Sequence, residues 1–219
     1  MKSYSAYLFD MDGTLVDSEK LKGLALVKTC GHFGGCVDVD SYKMVMGKSW
    51  GEVTNYFFAK AQIAPDFYEF NAVFKQAYQE LLLNELKPNS NVVELLSNLK
   101  ERGKKIGIVS SAFGWMVDQV LTQLDLKKFF DVVVTQEDVT LHKPDPEAYF
   151  LALKKLELPG SEVLIFEDSE SGVVAAKNAG CDTVALMHDF NTNHDFSLAL
   201  RAIEDFNAFL ENSEPTNSE

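Results

Sequence analysis

A chain of 219 residues, 46% hydrophobic and 24% charged, has the size and composition of a soluble globular protein with a substantial core. Its formal net charge of -13 repels nucleic acid and anionic membrane surfaces, and no basic stripe offsets that field, so no nucleic-acid and no membrane partner is expected. Three cysteines, Cys30, Cys36 and Cys181, contain no C-x-x-C pair and indicate neither a disulfide framework nor a cysteine-based zinc site. No apolar run reaches membrane-spanning length, the first residues carry no leader-like segment, and a cytoplasmic monomer is the expectation.

In chain order, the short apolar run from Ala6 to Phe9 reads as a strand that delivers Asp10 at its carboxyl end. Asp12 follows two residues later, and Gly13 lets the chain turn so that both acids face one cavity. Open α/β sheets bind ligands at such strand ends, where two carboxylates can present a nucleophile and a proton carrier to one substrate. A solvated Asp-x-Asp-Gly turn is the alternative for this segment taken alone. The next stretch, 17–83, breaks the strand pattern. Leu21, Leu24 and Ala25 begin a helical repeat, and Phe67, Phe70, Phe74, Ala77, Tyr78 and Leu81 recur at three- and four-residue steps, which marks a core-facing aromatic stripe. This stretch reads as a helical insertion into a discontinuous core of residues 1–16 and 84–219.

From Leu86 onward, helix-like and strand-like segments alternate, the pattern of a parallel sheet flanked by helices. Val92, Leu95, Leu96 and Leu99 mark a helix that stops at Arg102-Gly103. The run from Ile106 to Val109 reads as a strand ending in Ser110-Ser111, and Met116, Val117, Val120, Leu121 and Leu124 as the next helix. Val132 to Val134 is a third strand, and Asp145 with Pro146 reads as an N-cap followed by proline at the first helical position. Val163 to Phe166 and Thr183 to Met187 supply two more strands around a helix of small residues. The polar segment 212–219 is expected to be disordered.

Four polar signals thus fall at the ends of four proposed strands: Asp10 with Asp12, Ser110, Lys143 near the start of a helix, and Glu167-Asp168. Singly, Ser110 reads as a strand-end capping hydroxyl, Lys143 as a surface lysine and Glu167-Asp168 as an acidic pair favoured by a helix dipole. In this order they point to one site. The chain resembles the haloacid dehalogenase superfamily in four motifs: Asp10 to Ser18 (DMDGTLVDS), Ile108-Val109-Ser110, Lys143-Pro144-Asp145-Pro146 and Phe166 to Gly172 (FEDSESG). The resemblance covers essentially the whole chain. It implies an α/β fold with a Rossmann-like parallel sheet core flanked by helices and an inserted α-helical cap domain at 17–83.

It also implies the chemistry. An ionised carboxylate needs no base to activate it, so Asp10 would attack phosphorus and form an aspartyl-phosphate. Asp12 would protonate the leaving alkoxide and later take a proton from water. The family pattern assigns Mg²⁺ to Asp10, the backbone carbonyl of Asp12 and Asp168, with Glu167 nearby. Ser110 with its neighbour Ser111 would bind phosphate, and Lys143 would supply positive charge to phosphate and Asp10. Gly47-Lys48-Ser49 mimics the end of a nucleotide phosphate loop, but position 42 is Tyr where glycine is required and no strand leads into it. In the resembling family this segment meets the active site, so Gly47 and Lys48 are assigned to substrate selection.

Asp12 favours phosphoryl transfer over dehalogenation, because halide-removing members lack an acid there. The resemblance is to the subgroup of β-phosphoglucomutase and the sugar-phosphate phosphatases. Where mutases usually carry histidine this chain reads Lys20-Leu21-Lys22, Trp50 stands near the place of a phosphate-gripping arginine, and Thr14 is the residue more usual in phosphatases. An Mg²⁺-dependent phosphatase of a small phosphorylated metabolite, a sugar phosphate first, is therefore expected, with the mutase as the alternative. A receiver-like signalling module would place its acidic residues in a different strand order.

Overall fold

The computed structural model describes residues 2–210, with the backbone alone of 208 and 209. Its strands are β1 (Ala6–Phe9), β2 (Lys105–Val109), β3 (Val132–Val134), β4 (Val163–Glu167), β5 (Asp182–Leu186) and β6 (Arg201–Ile203). Helices α1 (Glu19–His32), α2 (Trp50–Ala61) and α3 (Phe67–Glu85) lie between β1 and β2, where α4 (Val92–Glu101) follows them. Then come α5 (Gly114–Gln123), α6 (Glu147–Leu156), α7 (Glu170–Asn178) and α8 (Asn207–Leu210). The strands form one parallel sheet in the order β3-β2-β1-β4-β5-β6. In this doubly wound order the chain moves outward from β1, then restarts beside it with β4, and a crevice opens between their carboxyl ends.

Side chains along each strand alternate between the two faces. Tyr7, Phe9, Ile106, Ile108, Leu164 and Phe166 pack into one core with α4, α5 and the inserted helices, while Ala6, Leu8, Val109, Val163 and Ile165 pack into the other with α6 and α7. Every residue of β1 and β4 is buried, as strands covered on both faces must be. The register pairs Phe9 with both Ile108 and Phe166. Asp10 therefore leaves the sheet level with Val109 and Glu167, one residue short of Ser110, and its amide donates to the Phe166 carbonyl at 2.9 Å.

Helix α1 packs along α3, and α3 continues to Glu85, past the expected return to the core at residue 84. The two connecting segments run side by side. Val16 forms an antiparallel bridge with Pro88, the Asp17 amide donates to Lys87 (3.1 Å) and the Asn89 amide to Leu15 (3.0 Å). Gly47-Lys48-Ser49 is not a phosphate loop: Ser49 is the N-cap of α2, in a reciprocal capping box with Glu52.

One sequence expectation changes, two elements are additional and one expectation is untested. Helix α6 opens at Glu147, with Pro146 at the N-cap instead of the first turn, although Asp145 still accepts the Glu147 amide at 2.9 Å. Edge strand β6 and helix α8 were not anticipated, because each is too short to show a period. Segment 212–219, expected to be disordered, lies outside the described residues. The cysteines are unbridged, and among the described residues no helix is long and apolar enough to cross a membrane.

Phe166 is fully buried, stacked on Phe9 at 4.8 Å and edge-on to Phe206 at 5.3 Å. Truncation would leave a cavity directly beneath the crevice. Phe166→Ala is expected to cost about 3–5 kcal/mol in equilibrium denaturation; a loss under about 1 kcal/mol would show that the site does not rest on this packing.

Candidate active site

Lys143 joins the strand ends. Its ammonium donates to Asp10 Oδ1 (2.6 Å), Glu167 Oε1 (2.6 Å) and the Val109 carbonyl (3.0 Å), and its side chain is only 5% exposed. An ammonium has three N–H groups, so all are engaged by the protein. Lys143 is a fixed charge beside Asp10, and it can bond a phosphate oxygen only by giving up one of these contacts.

Glu167 is fully buried. Oε1 accepts from Lys143 and from the Tyr149 hydroxyl (3.0 Å), and Oε2 from the amides of Asp168 and Ser169 (both 3.0 Å) and the Ser169 hydroxyl (2.9 Å). Both oxygens are occupied and the side chain is not among those lining the cavity, so Glu167, which the family pattern put near the metal, is engaged here by the protein. It anchors Lys143 and the turn into α7. That anchoring needs Gly172, where a Cβ would fall 1.8 Å from Glu167 Oε1.

Asp12 is held from the inserted segment. Oδ1 accepts from the hydroxyls of Ser18 (2.5 Å) and Tyr78 (3.2 Å), and Oδ2 lies 3.0 Å from Lys22 Nζ. Lys22 also contacts Glu19 Oε1 at 3.1 Å. Burial pushes the Tyr78 phenol well above its usual range, with the Asp12 charge adding, so it remains a donor. Sequence reasoning missed Ser18 and Tyr78 and noted Lys22 only as a departure from histidine; their convergence on one carboxylate depends on how α1 lies against α3.

Asp168 has a partner that the sequence also left unassigned. The Phe190 amide donates to His188 Nδ1 (3.2 Å), which places the proton on Nε2, 2.9 Å from Asp168 Oδ2. Burial lowers the His188 pKa, so a neutral imidazole orients this carboxylate. Gly13, at φ +76, lies against the pair: a Cβ there would come within 2.1 Å of Asp168 Oδ2. The signal for His188 was its place just beyond the end of β5.

These groups meet at a cavity of about 110 Å³. From the core, Asp10, Asp12, Ser110, Ser111, Lys143 and Asp168 line it, and from the inserted segment Glu19, Lys22, Tyr42, Gly47, Lys48 and Trp50. Ser110 is buried and accepts the Ala112 amide (3.1 Å), which leaves its proton to donate. Ser111 and Lys48 are exposed on the wall. The Gly47 carbonyl accepts from Ser171 of α7 (2.9 Å), tying the insertion to the core. Trp50 packs on Phe74 at 4.5 Å with its indole N–H on Asn71 (2.8 Å).

Burial raises the Asp10 carboxyl well above its ordinary range; Lys143 opposes this, and the charges of Glu167 and Asp168 add to it. Asp168 is raised by burial and then by Glu167 and Glu19. Among the described residues here, Asp10, Asp12, Glu19, Glu167 and Asp168 face the buried charges of Lys22 and Lys143 and the exposed Lys48 on the wall, a deficit that a divalent cation suits. The donor set fits Mg²⁺: two carboxylates, Asp10 and Asp168, and a carbonyl, with waters completing the shell. Among the described residues no group of three or more His, Cys, Asp or Glu side chains is gathered as a metal cage.

The family described as haloacid dehalogenase-like hydrolase matches residues 7–186. The chain belongs to this family. A phosphorylated carbohydrates phosphatase of Thermotoga maritima is 33% identical over 187 residues, covering 85% of this chain and 87% of the relative. The fructose-1-phosphate phosphatase YqaB of Escherichia coli is 27% identical over 181 residues, covering 83% and 95%. Among solved structures, CbbY from Rhodobacter sphaeroides in complex with phosphate superposes with a TM-score of 0.84 at 25% identity, over 93% of this chain and 95% of that one. The expected subgroup and the expected enzyme class, a haloacid dehalogenase-like phosphatase, both hold.

In this haloacid dehalogenase-like hydrolase, removing the Lys143 charge leaves two buried acids without their shared partner. Lys143→Met is expected to lower stability by about 3–5 kcal/mol near neutral pH. Without the ammonium, Asp10 rises further above its unfolded-state pKa, so its penalty is present at high pH and relieved as pH falls through the folded-state value. Denaturation at several pH values should therefore show the defect shrinking toward acid; a defect independent of pH would contradict the charge account.

Proposed function

We propose that the chain is an Mg²⁺-dependent phosphatase that hydrolyses a small phosphorylated metabolite, a sugar phosphate first, through an aspartyl-phosphate on Asp10. The observation that carries this reading is the meeting of Asp10 and Asp12 at one cavity with a lysine ammonium fixed 2.6 Å from Asp10. Asp10 attacks phosphorus, and the ester P–O bond breaks with its electron pair going to the departing oxygen, which takes a proton from Asp12. Water then attacks the acyl phosphate, Asp12 takes its proton, and cleavage of the P–O bond to Asp10 frees phosphate and restores the carboxylate. Ser110 donates to a phosphate oxygen, and Lys143 offsets charge on Asp10 and the phosphoryl group. Mg²⁺, held by Asp10, the Asp12 carbonyl and Asp168, supplies charge neutralisation between phosphate and carboxylates.

Ser18, Tyr78 and Lys22 hold the Asp12 carboxylate from the inserted segment and its flank. The cavity, about 110 Å³, is well below the ~300–1,000 Å³ of drug-sized ligand sites and favours a small substrate. The carbohydrate-directed names of the two relatives support a sugar phosphate. Trp50 and Phe74 make one wall aromatic, which favours hydrolysis over a mutase that must grip a second phosphate.

The test is phosphate release from a panel of phosphorylated metabolites. Turnover is expected to vanish with chelator, return with Mg²⁺, and fall about 10⁴-fold or more in Asp10→Asn. Retained turnover in that variant would remove Asp10 as nucleophile, and conversion of β-glucose 1-phosphate to glucose 6-phosphate with little free phosphate would establish the mutase instead.

A further inference from the structure

Glu19 opens α1 and is 5% exposed. Oε1 contacts Lys22, the buried Tyr42 phenol faces the carboxylate, and Oε2 is buried with no hydrogen-bond partner among the described residues. Glu19 also lines the cavity. A desolvated carboxylate oxygen without a donor is costly, and an ionised carboxylate only accepts hydrogen bonds, so Oε2 is open to a donor entering from the cavity that Glu19 lines. A phosphate oxygen is repelled. Lys22, shared with Asp12, already places one ammonium against Glu19 Oε1, and an uncharged hydroxyl is the donor proposed for Oε2.

We propose that Glu19, with Lys22 and Tyr42 holding it, is a hydroxyl-binding subsite that selects phosphate esters bearing a hydroxyl next to the ester carbon. The position follows from Lys22: one ammonium lies 3.0 Å from Asp12 Oδ2 and 3.1 Å from Glu19 Oε1. Asp12 is the group assigned to the ester oxygen, so the hydroxyl proposed to reach Glu19 at the same time is the one on the neighbouring carbon. Trp50 and Phe74, packed together and lining the same cavity, offer an apolar surface to the carbon face of a polyol. This inference rests on the phosphatase reading above and specifies the substrate class: vicinal hydroxy phosphomonoesters, as in sugar and polyol phosphates.

The test compares glycerol 3-phosphate with propane-1,3-diol monophosphate, which lacks only the neighbouring hydroxyl, by kcat/KM for phosphate release with Mg²⁺. The wild-type protein is expected to favour the glycerol ester by about tenfold or more. That ratio should collapse toward unity in Glu19→Ala and in Glu19→Asp, whose shorter side chain keeps the charge for Lys22 but withdraws the oxygen from the cavity. Circular dichroism identifies whichever variant is folded. Equal turnover of both esters by the wild type, or a ratio that survives in a folded variant, overturns the subsite; the latter result would assign Oε2 to a water common to both reactions. Failure of the wild type to release phosphate from either ester, or from the metabolite panel, overturns the phosphatase reading itself.

Discussion

Everything in this site depends on one buried ammonium shared between two strand ends. Lys143 sits between Asp10, which follows β1, and Glu167, which closes β4, at 2.6 Å from each. Those strands are neighbours because the sheet restarts beside β1, and the switch in direction creates the crevice. Burying one lysine with one acid would spend its charge locally. Burying it between two, with the Val109 carbonyl as third acceptor, locks three strand ends into one arrangement and leaves a net negative cavity that suits the proposed cation.

That arrangement has narrow steric tolerances. Gly172 lets Glu167 tuck beneath α7, and Gly13 lets Asp168 and His188 close over the first turn. Neither glycine is there for flexibility alone. Each marks a place where a carboxylate occupies the volume that a Cβ would take, so the acidic side chains are positioned by packing as well as by hydrogen bonds. The inserted helices complete the site from the other side. Ser18, Lys22 and Tyr78 grip Asp12, and the Gly47 carbonyl meets Ser171, so any motion of α1 against the core changes the environment of the proposed acid and base.

The parts visible in the sequence were those encoded by local pattern. The apolar runs at Ala6, Ile106, Val132, Val163 and Thr183 became five neighbouring parallel strands, because strands buried on both faces read as short apolar runs. Asp10, Asp12, Ser110, Lys143 and Asp168 were legible because chain order placed them after such runs, and they line one cavity. What was hidden depends on long-range contact. Glu167 shared a dipeptide with Asp168, yet only the fold shows that one acid points at the core and the other at the cavity. His188 looked isolated until the chain after β5 brought it to Asp168. Helix α2 was legible in principle from the Ser49-to-Glu52 capping box, a signal masked by the resemblance of Gly47-Lys48-Ser49 to a phosphate loop. Edge strand β6 was too short for any periodic pattern.

The central claim is that Asp10 carries the phosphoryl group between substrate and water. Acid quenching during turnover of a substrate labelled in its phosphoryl group, followed by peptide mapping, tests it most directly. The account predicts transient label on the peptide containing Asp10, lost on chasing with unlabelled substrate and absent from Asp10→Asn. Rapid turnover with no label on the protein at any quench time, or label on another residue, would contradict it.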